Sequence, residues 1–244
     1  MYTEDYNGYC VTDTASRKKL LAKIDTAVKA GRKLGMYVII DWHILSDGNP
    51  KKNQSKAKAF FKKMSNKYRK EKHVFYEICN EPNGGVQWKT IKSYAKSVIK
   101  VIRKADKNAV VIVGTPTWSQ DVDVVSEDPI TGYDNIMYAV HFYAATHKDD
   151  LRNKVKSALA NGLPVFVSEF SLCDASGNGG IDYDSSDAWF ELINDNNLSY
   201  ASWSLCNKNE TSALLRSDSQ ATSSITAEDL SDTGKYVRDR ILGK

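Results

Sequence analysis

Two acidic residues have positions that suit chemistry. Glu81 lies in Cys-Asn-Glu-Pro-Asn (79–83) and Glu169 in Val-Ser-Glu-Phe-Ser (167–171), each directly after a run of apolar residues. A carboxyl group at the end of such a run is costly unless it is paired or used. Two carboxyls facing one cleft suit glycoside hydrolysis: one protonates the departing oxygen, and the other attacks the sugar or activates water. Each also disfavours a second negative charge, which helps keep the acid protonated. Trp42, Trp118 and Trp203 fall at or just after apolar runs, where a flat ring face can stack on a sugar. His43 and His141 occupy similar positions. With Asp41 or a Glu they would also suit a metal, but no two of the four histidines share helical i, i+4 spacing, so no metal and no cofactor is expected.

These residues need elements to hold them. Residues 14–33 place Leu20, Leu21, Ile24, Ala27 and Val28 on one helical face, and Gly35 ends that helix. Residues 36–43 are then apolar in succession, the pattern of a strand buried on both faces. Further helices are predicted over 53–69, 88–104, 149–161 and 184–196, with strands over 74–80, 109–114, 136–143, 164–169 and 200–205. A final helix over 226–242 opens with Thr226 and Asp229 at capping-box spacing. Strand–helix alternation means parallel strands with helical crossovers, an α/β fold. No linker or shift in composition divides the chain, so residues 1–244 read as one domain.

Periodicity alone suits an open sheet and a barrel equally. The strand ends favour the barrel. Asp41, Trp42 and His43 close the first predicted strand, and Asn80 and Glu81 the second. Thr115, Thr117 and Trp118 follow the third, His141 and Tyr143 close the fourth, Glu169 closes the fifth, and Trp203 lies in the sixth. A barrel gathers such groups around one mouth, the face where barrel enzymes work.

The bulk composition excludes little. Lys and Arg number 34 against 30 Asp and Glu, a net charge of +4 that is too weak a bias to predict a nucleic-acid partner. The lysines from Lys51 to Lys67 read as a solvated helix face. No apolar stretch is long enough for a membrane span, and no secretory signal is visible. Cys10, Cys79, Cys173 and Cys206 lack metal-ligand spacing and read as small buried residues, with Cys79 and Cys206 inside predicted strands.

At the strand ends the chain resembles glycoside hydrolase family 5, in its bacterial endoglucanase branch. The matching segments are 38–47, 76–84, 113–122, His141-Phe-Tyr143, 166–169 and Trp203-Ser-Leu205, so the resemblance covers essentially the whole chain. It implies a (β/α)8 TIM barrel and an endo-β-1,4-glucanase that retains anomeric configuration. By that resemblance Glu81 is the acid/base and Glu169 the nucleophile, with carboxyls about 5–5.5 Å apart. The same resemblance implies that Asn80 bonds the sugar 2-hydroxyl and that His43 and His141 line the cleavage point. Tyr143 holds the nucleophile, Trp203 stacks on the non-reducing side, and Trp118 and Gln120 serve the leaving-group side. Lys208, Glu210 and Tyr2 make further substrate contacts.

The family pattern also implies that Met1-Tyr2-Thr3 stands at the end of the second barrel strand. Strand 1, helix 1, most of strand 2 and an arginine beside the nucleophile would then precede this chain. The expectation is a fragment of a longer protein, or a chain begun at an internal methionine, with low stability and impaired activity on its own. Location outside the cell is expected because a polymeric substrate must be met there, and a full-length form is expected to be a monomer. Three other readings fit the same residues: a β-mannanase or xylanase with the same mechanism, a barrel that binds glycan without cutting it, and a metal hydrolase.

Overall fold

The apolar runs become strands and the amphipathic runs become helices. In the computed structural model, which describes residues 1–243, the strands are β1 (Val38–Asp41), β2 (Val74–Glu77), β3 (Val111–Val113), β4 (Ile136–Tyr143), β5 (Val165–Ser171) and β6 (Tyr200–Ser202). The helices are α1 (Thr14–Leu34), α2 (Gln54–Tyr68), α3 (Trp88–Ala105), α4 (Pro116–Ser119), α5 (Val122–Glu127), α6 (Asp149–Ala160), α7 (Tyr183–Asp195) and α8 (Asp232–Ile241). The strands follow one another in the sheet in chain order, and their paired neighbours are parallel. The described residues group into two compact units, one of Met1–Ala139 with Ala158–Val165, the other of Val140–Ser157 with the chain from Phe166 onward.

In the first unit, β1 and β2 pair in register from Val38 opposite Val74 to Asp41 opposite Glu77. Asp13 caps α1 by accepting from the amides of Ala15 and Ser16, and Gly35 ends it in the left-handed region. The predicted strand over 36–43 ends at Asp41, yet Trp42 N still donates to Glu77 O at 2.9 Å. The chain before the first helix runs alongside: His43 N donates to Met1 O at 2.9 Å and Thr3 N to His43 O at 3.2 Å. Trp42 is not a platform for sugar. It is 0% exposed and packs among Tyr9, Phe60 and Phe61. Burial of so large a ring on α2 outweighs its place in a polar segment.

The second unit is organised around Trp189. Its ring stacks on Phe142 with centroids 4.0 Å apart and planes 4° from parallel, and Arg152 lies over it. Its indole N–H donates to His147 O at 2.8 Å. The predicted helix over 226–242 is two elements. The capping box of Thr226 and Asp229 closes a single turn at Ala227–Asp229. Leu230 is then extended and bridges Leu215 in antiparallel fashion before Ser231 caps α8. Cys10, Cys79 and Cys173 are buried and Cys206 is half-buried, all as free thiols. Cys79 and Cys206 lie just beyond β2 and β6 rather than inside them. No helix among the described residues is long and apolar enough to cross a membrane.

Candidate active site

The first unit brings together Tyr2, His43, Asn80 and Glu81. β1 delivers His43, whose Nδ1 lies 2.6 Å from Asp41 Oδ2. The Tyr2 ring meets the His43 ring edge-on, with centroids 4.5 Å apart. β2 delivers Asn80 and Glu81. Asn80 Nδ2 donates to Ile44 O at 3.2 Å and lies 3.4 Å from His43 Nε2. Glu81 is only 9% exposed.

Residues outside the sequence prediction, together with the Trp118 backbone, hold that segment. Ser119 Oγ donates to Asn80 O at 2.7 Å. Asn83 Nδ2 donates to Glu81 O at 2.9 Å and to Leu45 O at 2.7 Å. Gly114, after β3, has no room for a Cβ because Cys79 O would stand 2.0 Å from it. The Trp118 amide donates to Pro82 O at 3.0 Å, which ties the segment to α4. α4 is a turn rather than a right-handed helix: Thr117 and Trp118 have φ of +55° and +54°. Such backbone costs free energy and is over-determined by its surroundings. It presents Trp118 47% exposed, with Gln120 half-buried at the end of the turn. Burial pushes the Cys79 thiol well above its usual range, so that neighbour of Glu81 is no nucleophile at neutral pH.

The second unit brings together His141, Tyr143 and Glu169. Tyr143 Oη donates to Glu169 Oε1 at 2.8 Å. Glu169 is 8% exposed. His141 Nε2 lies 2.9 Å from Ser168 Oγ. The β5–β6 register shifts between Val167 and Phe170, around Ser168 and Glu169. Such irregularities re-aim side chains and are common beside active sites. The Tyr143 amide donates to His147 Nδ1 at 2.8 Å. Trp203 follows β6, its amide donating to Phe170 O at 2.8 Å, and the Trp203–Ser204 peptide is cis. Lys208 and Glu210 lie further along the chain, 3.8 Å apart as an ion pair, in an open polar groove with Asn178 and Arg216.

Ser119, Asn83, His147 and Ser168 were not legible as site residues. Serine and asparagine at loop positions are ordinary in any chain, and only the register shift in β5 gives Ser168 a signal, one that needs the structure.

Comparison with known proteins finds a family model, curated relatives and solved structures similar to this chain. A family model described as Cellulase (glycosyl hydrolase family 5) matches residues 1–209. An endoglucanase from Clostridium saccharobutylicum is 47% identical over 244 residues, 100% of this chain and 53% of that protein. The catalytic domain of a Thermobifida fusca endoglucanase is similar with a TM-score of 0.91 at 33% identity, covering 99% of this chain and 79% of that one. A variant of the same domain in complex with cellotetraose gives a TM-score of 0.89 at 31% identity, over 99% of this chain and 79% of that one. The chain spans about half the length of the curated relatives it matches. The fold class is the (β/α)8 barrel, with six parallel strands among the described residues. The family model covers most of the chain, and the chain belongs to glycosyl hydrolase family 5, the cellulase family.

Proposed function

We propose that the chain is one catalytic domain of a retaining endo-β-1,4-glucanase that hydrolyses cellulose or a related β-glucan outside the cell. Glu169 attacks the anomeric carbon while protonated Glu81 gives its proton to the leaving oxygen. Glu81 then takes a proton from water, which releases the sugar with its configuration retained. The observation that carries this reading is the hydrogen bond from Tyr143 Oη to Glu169 Oε1. A donated hydroxyl favours the charged form of a carboxylate and fixes its orientation, both of which a nucleophile needs. Family membership and relatives named endoglucanases support the reaction class. Asn80 is the partner of the sugar 2-hydroxyl, His43 and His141 line the cleavage point, and Tyr2 makes a further substrate contact. Trp203 is the platform on the non-reducing side. Trp118 and Gln120 serve the leaving group, and Lys208 and Glu210 act further out.

The test separates the two carboxyls by leaving group. Glu81→Ala nearly abolishes turnover of polysaccharide, whose alkoxide leaving group needs a proton. It slows the first, bond-breaking step on a nitrophenyl cello-oligosaccharide far less, because nitrophenolate departs without one. Glu169→Ala nearly abolishes both. Either variant keeping the wild-type rate on a soluble β-glucan would overturn the assignment. On a panel of carboxymethylcellulose, lichenan, mannan and xylan, the first two are cleaved best.

A further inference from the structure

The loop after β1 and the loop after β2 are tied together through Asn83. Its backbone amide donates to Gly48 O at 3.1 Å. Its side-chain Nδ2 donates to Leu45 O at 2.7 Å and to Glu81 O at 2.9 Å. Both partners are carbonyls that only accept, so they fix this end of the side chain as NH2 and use both of its hydrogens. The other side is equally close: a Cβ at Gly48 would stand 2.2 Å from Asn83 Oδ1 and 2.6 Å from Asn83 Cγ. Glycine is what lets the first loop lie against this amide.

The first loop is itself anchored by a buried carboxylate. Asp47 is 3% exposed. It accepts from Leu45 N at 3.2 Å, from Thr3 Oγ1 at 2.8 Å and from Asn53 Nδ2 at 3.2 Å. Such donors make a buried carboxylate tolerable, and bonds to a charged acceptor are stronger than neutral ones. Leu45 is therefore pinned through its N–H, and its carbonyl is a fixed partner for Asn83.

We propose that Asn83 is a positioning residue for proton transfer by Glu81: it holds the Glu81 backbone against the anchored loop after β1. The proposal rests on the glucanase reading above. Asn83 donates to no reacting atom, because both of its NH2 hydrogens are taken by carbonyls. It acts through the main chain of Glu81, and so on where the acid stands relative to the leaving oxygen. Proton transfer needs hydrogen-bond reach, and a misplacement of about 1 Å costs on the order of a hundredfold.

The experiment compares leaving groups. Asn83→Ala removes both side-chain hydrogen bonds. It is expected to lower kcat on a soluble β-glucan, whose leaving group is an alkoxide, by roughly tenfold to a hundredfold. Nitrophenolate release from a nitrophenyl cello-oligosaccharide, read before the first turnover is complete, should slow by less than about threefold, because that leaving group departs without the proton. A residue that only stabilised the fold would slow both alike. Gly48→Ala pushes the Asn83 side chain aside without removing it and is expected to give the same split, so it carries the test if Asn83→Ala fails to fold. Equal slowing on both substrates in a folded variant, or a wild-type rate on β-glucan, would overturn the proposal. Wild-type protein that cleaves neither substrate would instead refute the glucanase reading.

Discussion

Gly114→Ala tests how tightly the fold holds the Asn80–Glu81 segment. A Cβ at position 114 would stand 2.0 Å from Cys79 O, 2.9 Å from Asn80 O and 2.9 Å from Pro82 Cδ. An ordinary carbon–oxygen contact is about 3.3 Å or more, so the nearest atom must move by over about 1 Å. None of the three atoms can rotate away, since two are backbone carbonyls and one belongs to a proline ring. The bonds from Ser119 Oγ to Asn80 O and from Trp118 N to Pro82 O resist the shift. Overpacking against backbone places the cost at the upper end of the usual range, about 3 kcal/mol. For a chain of this size that lowers Tm by about 6–12 °C. The displaced segment carries Glu81, so kcat should fall by roughly a hundredfold, the effect of an ångström-scale misplacement. Thermal unfolding and initial rates on saturating soluble β-glucan measure both. Gly180→Ala is the control, because nothing lies within 4 Å of its added Cβ. A Gly114→Ala protein with wild-type Tm and kcat would refute the reasoning.

Further predictions follow from single contacts. Tyr143→Phe removes the hydroxyl that donates to Glu169 Oε1 and should lower kcat by roughly tenfold to a hundredfold, measured with soluble glucan at saturation. Equal kcat in the variant would remove Tyr143 from the mechanism. Trp189→Ala deletes a fully buried ring stacked on Phe142 and should cost about 3–5 kcal/mol, read by denaturant titration. Lys148 and the amide of Ser185 hold the Asp182 carboxyl below its ordinary range. The stability it contributes is therefore present above its unfolded pKa and is lost as pH falls through the lower folded value. Asp182→Asn should be less stable than wild type at neutral pH, with the gap closing on acidification. A gap independent of pH would contradict the ion-pair account.

The sequence was most informative where one period ran without interruption. β4 falls where Ile136–Tyr143 predicted it, because eight successive residues suit a strand buried on both faces. It was least informative where tertiary contacts override local pattern. Residues 226–242 read as one helix, but Leu230 leaves it to pair with Leu215. Trp42 stands in a polar motif and read as a sugar platform, yet α2 supplies Phe60 and Phe61 to bury it. The candidate catalytic residues were legible because a carboxyl after an apolar run is unusual. The residues that hold them were not. Ser119 works through Asn80 O and Gly114 through its missing side chain, and neither leaves a pattern along the chain. Asp41 was legible as a polar strand end, but its 2.6 Å contact with His43 Nδ1 shows only in the structure.

Double displacement by Glu169 and Glu81 is tested most directly by the configuration of the first product. Soluble cello-oligosaccharide is hydrolysed by the protein and followed by 1H NMR at the anomeric protons, before mutarotation equilibrates them. The new reducing end should emerge as the β anomer. An α anomer formed first would mean a single displacement by water and would contradict the role given to Glu169.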